Sequence, residues 1–260
     1  MIFKLLGTGA SVGVPSFFCE CAACFEAVCE PNWVRSRSGA FIHTGKERIL
    51  IDATPDLRSQ LLRERISVID YVFMTHWHYD HFAGLGELEF YVKLVRKAPI
   101  ALFLPPSAEG EFRAAFPFLE DVFDIGFWNF GKAHTFHGLE LTPLQAVHGI
   151  ETAGFLCESK KSLAYFPDTA RLTPDVAARL HGIDYWVGDA TFNGRNWMEQ
   201  SHMNIDQMIE QGNEIEARCI VPTHLSMHYD TPVTNRELSA AFKKYENVTL
   251  SYDGIEFELS

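Results

Sequence analysis

No run of apolar residues in this chain reaches the ~18 needed to cross a bilayer, so a helical membrane span is not expected. A secretory leader is missing too. Residues 2–6 alternate as one strand and stop at Gly7-Thr8-Gly9, with no longer apolar region and no cleavage site behind them. These two absences predict a cytoplasmic location and no membrane partner. Positive charge is scarce: Lys and Arg number 22 against 34 Asp and Glu, for a net charge of −12. An acidic chain repels nucleic acid, whose binding relies on cations neutralising phosphates. A small basic patch near Arg35, Arg37 and Arg48 is the exception this leaves open. Linkers, repeats and low-complexity runs are lacking as well. The expectation is one domain over residues 1–260, with an apolar fraction of 47% and a charged fraction of 22% suited to a large globular core. Cysteine is sparse at six, yet four crowd together at Cys19, Cys21, Cys24 and Cys29. Without an export signal, that crowding favours metal over disulfides.

What the chain has in excess is histidine in one place. Asp70-Tyr71-Val72-Phe73 reads as a short buried strand. His76, His78, Asp80 and His81 follow within six residues, and Gly84 and a helical pattern come next. Side chains alternate on extended backbone, so His76 and His78 point the same way and can grip one ion. A turn then lets Asp80 and His81 face a second. Neutral imidazole and carboxylate are the ligands of Zn, Mn and Fe sites. Cys19-Glu20-Cys21-Ala22-Ala23-Cys24, in an insert over about 15–30, offers three thiolates on a tight turn. A tetrahedral zinc needs a fourth ligand, and Cys29 and His228 are both candidates. The glycine-rich stretch 7–13 is followed by Pro15 and the cysteines instead of a helix, so it is not read as a dinucleotide site.

Apolar periodicity predicts strands at 2–6, 99–105, 139–147, 152–158, 162–166, 184–188 and 218–224, and hairpins over 39–52 and 247–259. Helices are predicted at 56–65, 85–96, 107–118, 174–180, 204–217 and 234–243. The aromatics between 112 and 136 are read as core and pocket wall. His148, Asp168 and His224 each fall at the end of a predicted strand. His134 and His137 sit at the opposite end of theirs and are read as structural.

His-x-His-x-Asp-His behind a strand resembles the signature of the metallo-β-lactamase fold hydrolases. Cys-x-Cys-x-x-Cys between Gly7-Thr8-Gly9 and the first core strand resembles their PhnP-type branch, whose members act like a phosphoribosyl 1,2-cyclic phosphate phosphodiesterase. The resemblance implies an α/β fold, a four-layer αβ/βα sandwich of two mixed sheets with helices on the outer faces. It implies two divalent metals, manganese or zinc and conceivably iron. The first takes His76, His78, His148 and Asp168. The second takes Asp80, His81, His224 and the same Asp168 as bridge. Asp52 would steady a ligand histidine through its far nitrogen. One structural zinc on Cys19, Cys21 and Cys24 would be completed by His228, although the family more often has histidine where Met227 stands. The implied reaction is hydrolysis of a small anionic phosphodiester, a cyclic sugar or nucleotide phosphate, by hydroxide between the metals. Asp80 and Asp168 would hold that centre, and His202 would bind the phosphoryl group or protonate the leaving oxygen. A homodimer is the partner state common in the family. Ester, lactone or thioester hydrolysis, nuclease action and a non-enzymatic metal-binding assembly role are the alternatives.

Overall fold

Short apolar runs bounded by Gly, Pro and Asp form strands of three to seven residues in the computed structural model, which describes every residue except Asp230. In chain order the strands are β1 (Ile2–Gly7), β2 (Gly39–His43), β3 (Arg48–Ile51), β4 (Tyr71–Phe73), β5 (Ile100–Leu104), β6 (Phe123–Phe127) and β7 (His134–Phe136). Then come β8 (Leu139–Gln145), β9 (Ala153–Glu158), β10 (Ser162–Phe166), β11 (Tyr185–Asp189), β12 (Cys219–Thr223) and β13 (Glu256–Glu258). One sheet runs β13-β1-β2-β3-β4-β5-β6 and the other β12-β11-β10-β9-β8-β7. Both are mixed. Strands β3 to β6 are parallel in the first sheet and β10 to β12 in the second. Parallel strands need both faces covered, which is why these runs are continuously apolar.

Three apolar layers follow. Phe3, Phe73, Phe155 and Tyr165 fill the space between the sheets. Leu57, Leu88, Val92, Leu102 and Phe112 cover the outer face of the first sheet. Trp186, Met208, Ile209 and Ile220 cover that of the second. The helices are α1 (Ala22–Cys29), α2 (Leu57–Arg63), α3 (Tyr79–Phe82), α4 (Glu109–Ala115), α5 (Pro174–Arg179), α6 (Ile205–Glu214) and α7 (Asn235–Phe242). The four-layer α/β sandwich expected from the sequence is the observed architecture. The start of α6 is set by a capping box in which Asn204 and Gln207 satisfy each other's backbone. That cap places the helix N-terminus just after His202, with Asn204 two residues beyond it.

Three local expectations are corrected. Residues 85–96 do not form one α-helix: a 3-10 turn spans Ala83–Leu88 and a π turn Tyr91–Arg96. The buried positions Leu85, Leu88 and Val92 are kept, but Gly84 and Gly86 weaken the regular helix. Helix 107–118 is trimmed to a 3-10 turn and α4, because Pro117 cannot continue it. The hairpin over 247–259 is absent. Asn247 and Thr249 instead bond across to Ile220 on β12, and only Glu256–Glu258 joins β1. The Asp253 carboxylate explains the crossing. It accepts from the backbone N–H and hydroxyl of both Thr8 and Ser36, which ties the Asp253-Gly254 turn to the loops of the first sheet.

Gly84 holds the histidine loop against the first sheet. Its N–H donates to Ala53 O at 2.7 Å, and a Cβ there would lie 2.0 Å from Thr54 O. Gly84→Ala is therefore expected to destabilise the fold by about 2–3 kcal/mol through overpacking. Gly86→Ala, which meets nothing within 4 Å, should unfold within a few tenths of a kcal/mol of the parent in urea. Equal midpoints for the two variants would contradict the close approach.

Candidate metal centre

The carboxyl ends of the parallel strands in both sheets open on one edge. Asp52 follows β3, His76 follows β4, Asp168 follows β10, Asp189 ends β11 and His224 follows β12. His148 lies three residues beyond β8, further from the strand than the sequence suggests. His78 precedes α3, while Asp80 and His81 lie within it. The structure brings all seven predicted ligand residues together. His76, His78 and His148 form one group of donor atoms, Asp80, His81 and His224 another, and Asp168 lies between them. Asp168 has His81 Nε2 at 2.9 Å, His224 Nε2 at 3.3 Å and His148 Nε2 at 3.9 Å.

The imidazoles are oriented from behind. His81 Nδ1 donates to Asp52 Oδ2 at 2.7 Å, and His148 Nδ1 donates to Ser201 O at 2.9 Å. Thr75 Oγ1 meets His76 Nδ1 and Thr191 Oγ1 meets His224 Nδ1, each at 2.9 Å. With Nδ1 engaged, Nε2 of all four faces inward, the orientation that metal ligation requires. Asp52 also accepts from the Thr75 N–H and hydroxyl, so it braces two elements of the site at once. Asp52 and His224 both take positive φ, 64° and 56°. Non-glycine residues in that region cost about 1–3 kcal/mol and concentrate at functional sites.

These residues fit divalent cations. Three nitrogens crowd together, with His78 Nδ1 2.9 Å from His76 Nε2 and 3.1 Å from His148 Nε2. His224 Nε2 is buried yet makes no hydrogen bond, and Asp168 Oδ2 has only its close contact with His81 Nε2. Buried acceptors left facing one another are costly unless a cation lies among them. Burial holds His76, His78 and His148 below the usual histidine pKa, which keeps them neutral. Burial opposes charge on Asp168, but His224 and His81 overcome it and hold the carboxylate ionised. Neutral imidazole and ionised carboxylate are the forms that bind metal.

Asp189 is the site residue that sequence reasoning passed over. Its Oδ2 lies 2.7 Å from His202 Nδ1, and its Oδ1 accepts from the Thr191 N–H and hydroxyl. The signal was available: an aspartate ends a parallel strand, as Asp52 follows one. Burial would lower the His202 pKa, but Asp189 outweighs it and raises the value to about 9. The cysteine insert is likewise brought to its expected partner. Cys19, Cys21 and Cys24 gather with His228, whose Nδ1 is 3.2 Å from Cys24 Sγ. Cys29, the other candidate, is exposed at the end of α1 and outside the group. The basic patch around Arg35, Arg37 and Arg48 does not form. Arg35 is buried against Asn235 and Thr8, Arg37 is paired with Asp56 and Arg48 faces Asp70.

A mixed two-sheet sandwich with a His/Asp cluster at its parallel edge defines a metal-dependent hydrolase class. Residues 47–225 match the β-lactamase superfamily domain, and the chain belongs to that superfamily. It is 42% identical to the octanoyltransferase of Porphyromonas gingivalis over 97% of its own length, but spans about half (50%) of that protein. It is 30% identical to coenzyme PQQ synthesis protein B of Methylorubrum extorquens, over 72% of each. Among solved structures, a diphosphatase from the PhnP family superposes with a TM-score of 0.86 at 25% identity, covering 100% of this chain and 98% of that one.

Removing the brace behind a ligand should weaken the centre without dismantling it. Asp52→Ala is expected to lower divalent-metal affinity about 10–100-fold, measured by competition with a chromogenic chelator. Unchanged affinity would show that His81 keeps its orientation without the carboxylate.

Proposed function

We propose that the chain is a phosphodiesterase of small anionic substrates, with two divalent metals at the strand edge. His76, His78, His148 and Asp168 would hold one, and Asp80, His81, His224 and Asp168 the other. Bound there, divalent cations bring the pKa of water down to about 7 and draw charge from phosphoryl oxygens. Manganese or zinc suits this donor set. Asp168, shared by both donor groups, would lessen the repulsion between two dications held side by side.

The observation that carries the proposal is His202. It lines the cavity over the cluster, and its Nδ1 is committed to Asp189, which leaves Nε2 for substrate. A cationic imidazole fixed beside the metal ligands suits a phosphoryl oxygen, or an alkoxide that must leave with a proton. In the reaction, water gives up a proton to solvent as its oxygen bonds to phosphorus, the ester P–O bond breaks, the His202 Nε2 proton passes to the departing oxygen, and His202 then regains a proton from solvent. The structural likeness to a PhnP-family diphosphatase supports a phosphorus-centred reaction. One observation favours a second class. The match to an octanoyltransferase raises hydrolysis of an acyl ester or thioester, with the acyl chemistry in either half of that longer protein.

Bis-p-nitrophenyl phosphate tested beside p-nitrophenyl octanoate separates the two, and turnover of the octanoate alone would reject the diesterase. Asp168→Ala is expected to abolish both metal occupancy and hydrolysis. His202→Ala should keep the metals and lose kcat by about 100-fold or more. A normal rate in His202→Ala would remove its assigned role. The thiolate cluster is proposed to hold a structural zinc. Cys24→Ala should release one zinc per chain by atomic emission, and Cys29→Ala should release none.

A further inference from the structure

The cavity above the cluster has a volume of about 560 Å3, and its charged groups sit on the floor. Among the described residues that line it there is no lysine or arginine. Two guanidinium groups come near in sequence or space without entering. Arg37 reaches the Ser11 carbonyl at the mouth but is held by Asp56 at 3.0 Å. Arg195 is exposed and does not line the cavity. One wall is aromatic. The Phe192 and Trp197 rings lie 5.0 Å apart at 55°, and those of Trp197 and Tyr229 lie 5.9 Å apart at 71°.

This wall is built, not incidental. Asn196 Nδ2 donates to both His202 O and Gln207 Oε1, which ties the Trp197 loop to His202 and to the start of α6. Tyr229 follows His228 of the thiolate cluster, so the segment carrying it is anchored to the insert. Trp197 is nonetheless 52% exposed. An indole packed against two rings, yet half open at a cavity mouth, is a stacking platform. A second phosphate on the substrate would find no cation away from the floor, and burying an unpaired anion is costly.

Resting on the diesterase assignment above, we infer that the substrate is a diester with a single negative charge and a planar ring, a nucleobase or similar heteroaromatic, stacked on Trp197. A sugar cyclic phosphate that carries a further phosphate is a poor fit.

Four probes test this on the metal-loaded full chain: adenosine 2′,3′-cyclic phosphate, the base-free 1-O-methylribose 2,3-cyclic phosphate, and each with an added 5′-phosphate. The expected kcat/KM is about 10–100-fold higher with the base than without it, and lower whenever the 5′-phosphate is present. Trp197→Ala should collapse the preference for the base, and Trp197→Phe should retain most of it. Equal rates with and without the base, a gain from the 5′-phosphate, or a preference that survives Trp197→Ala would each overturn the inference. Should no diester turn over, calorimetric binding of adenosine 2′,3′-cyclic phosphate decides. Saturable binding that is lost in Trp197→Ala and kept in Trp197→Phe keeps the ring site and rejects the diesterase. Absence of binding by the parent rejects the ring site. Loss of p-nitrophenyl octanoate hydrolysis in Trp197→Ala, with nucleotide binding intact, would assign the wall to an acyl chain instead.

Discussion

Four buried imidazoles, the more exposed His78 and two buried carboxylates converge where the two sheets open, and the buried ones must be satisfied. Polar groups removed from water demand partners. Here the partners are divided by direction. The outward nitrogens find Asp52, Thr75, Thr191 and the Ser201 carbonyl. The inward atoms find mainly each other. That asymmetry is what the fold around the site serves. Under the proposed reading, it makes the seven side chains a pre-organised cation cage in place of a collapsed hydrogen-bond network.

The two sheets contribute parallel solutions to the same problem. Asp52 bonds the Thr75 backbone and hydroxyl and then a histidine, His81. Asp189 bonds the Thr191 backbone and hydroxyl and then a histidine, His202. In each, a carboxylate at a strand end locks the neighbouring loop and one ring. The outcomes differ because the rings face different neighbours. His81 points into the cluster beside Asp80 and Asp168, while His202 points into the cavity. In the proposed function, one half of the edge supplies a donor to a metal and the other a proton donor to substrate. The thiolate cluster adds a third tie. It joins the insert, which also packs Ala23, Cys24 and Ala27 into the core, to the segment that carries both His228 and Tyr229. It therefore links the stability of a surface loop to the shape of the pocket.

Much of this was legible in the sequence, for physical reasons. Strand ends are marked by abrupt changes from apolar runs to polar residues, so the His76 to His81 cluster could be placed at one; the resemblance to the family then singled out His148, Asp168 and His224 at other strand ends. The choice between Cys29 and His228 was not legible, because it depends on two segments 204 residues apart meeting in space. Asp189 was missed because a lone aspartate after an apolar strand looks like a loop residue until its partner His202 is placed beside it. The hairpin at 247–259 failed for a related reason. Its turn chemistry was read correctly, but the Asp253 carboxylate spends its bonds on Thr8 and Ser36, contacts that local periodicity does not encode. The aromatic wall of Phe192, Trp197 and Tyr229 draws on two separate loops and was invisible for the same cause.

The central claim is that this edge cages two divalent cations around Asp168. Anomalous diffraction from crystals grown with manganese tests it most directly. The account predicts two peaks, one among His76, His78 and His148, the other among Asp80, His81 and His224, with Asp168 between them. A single peak away from Asp168, or none at this edge in protein that retains metal elsewhere, would contradict it.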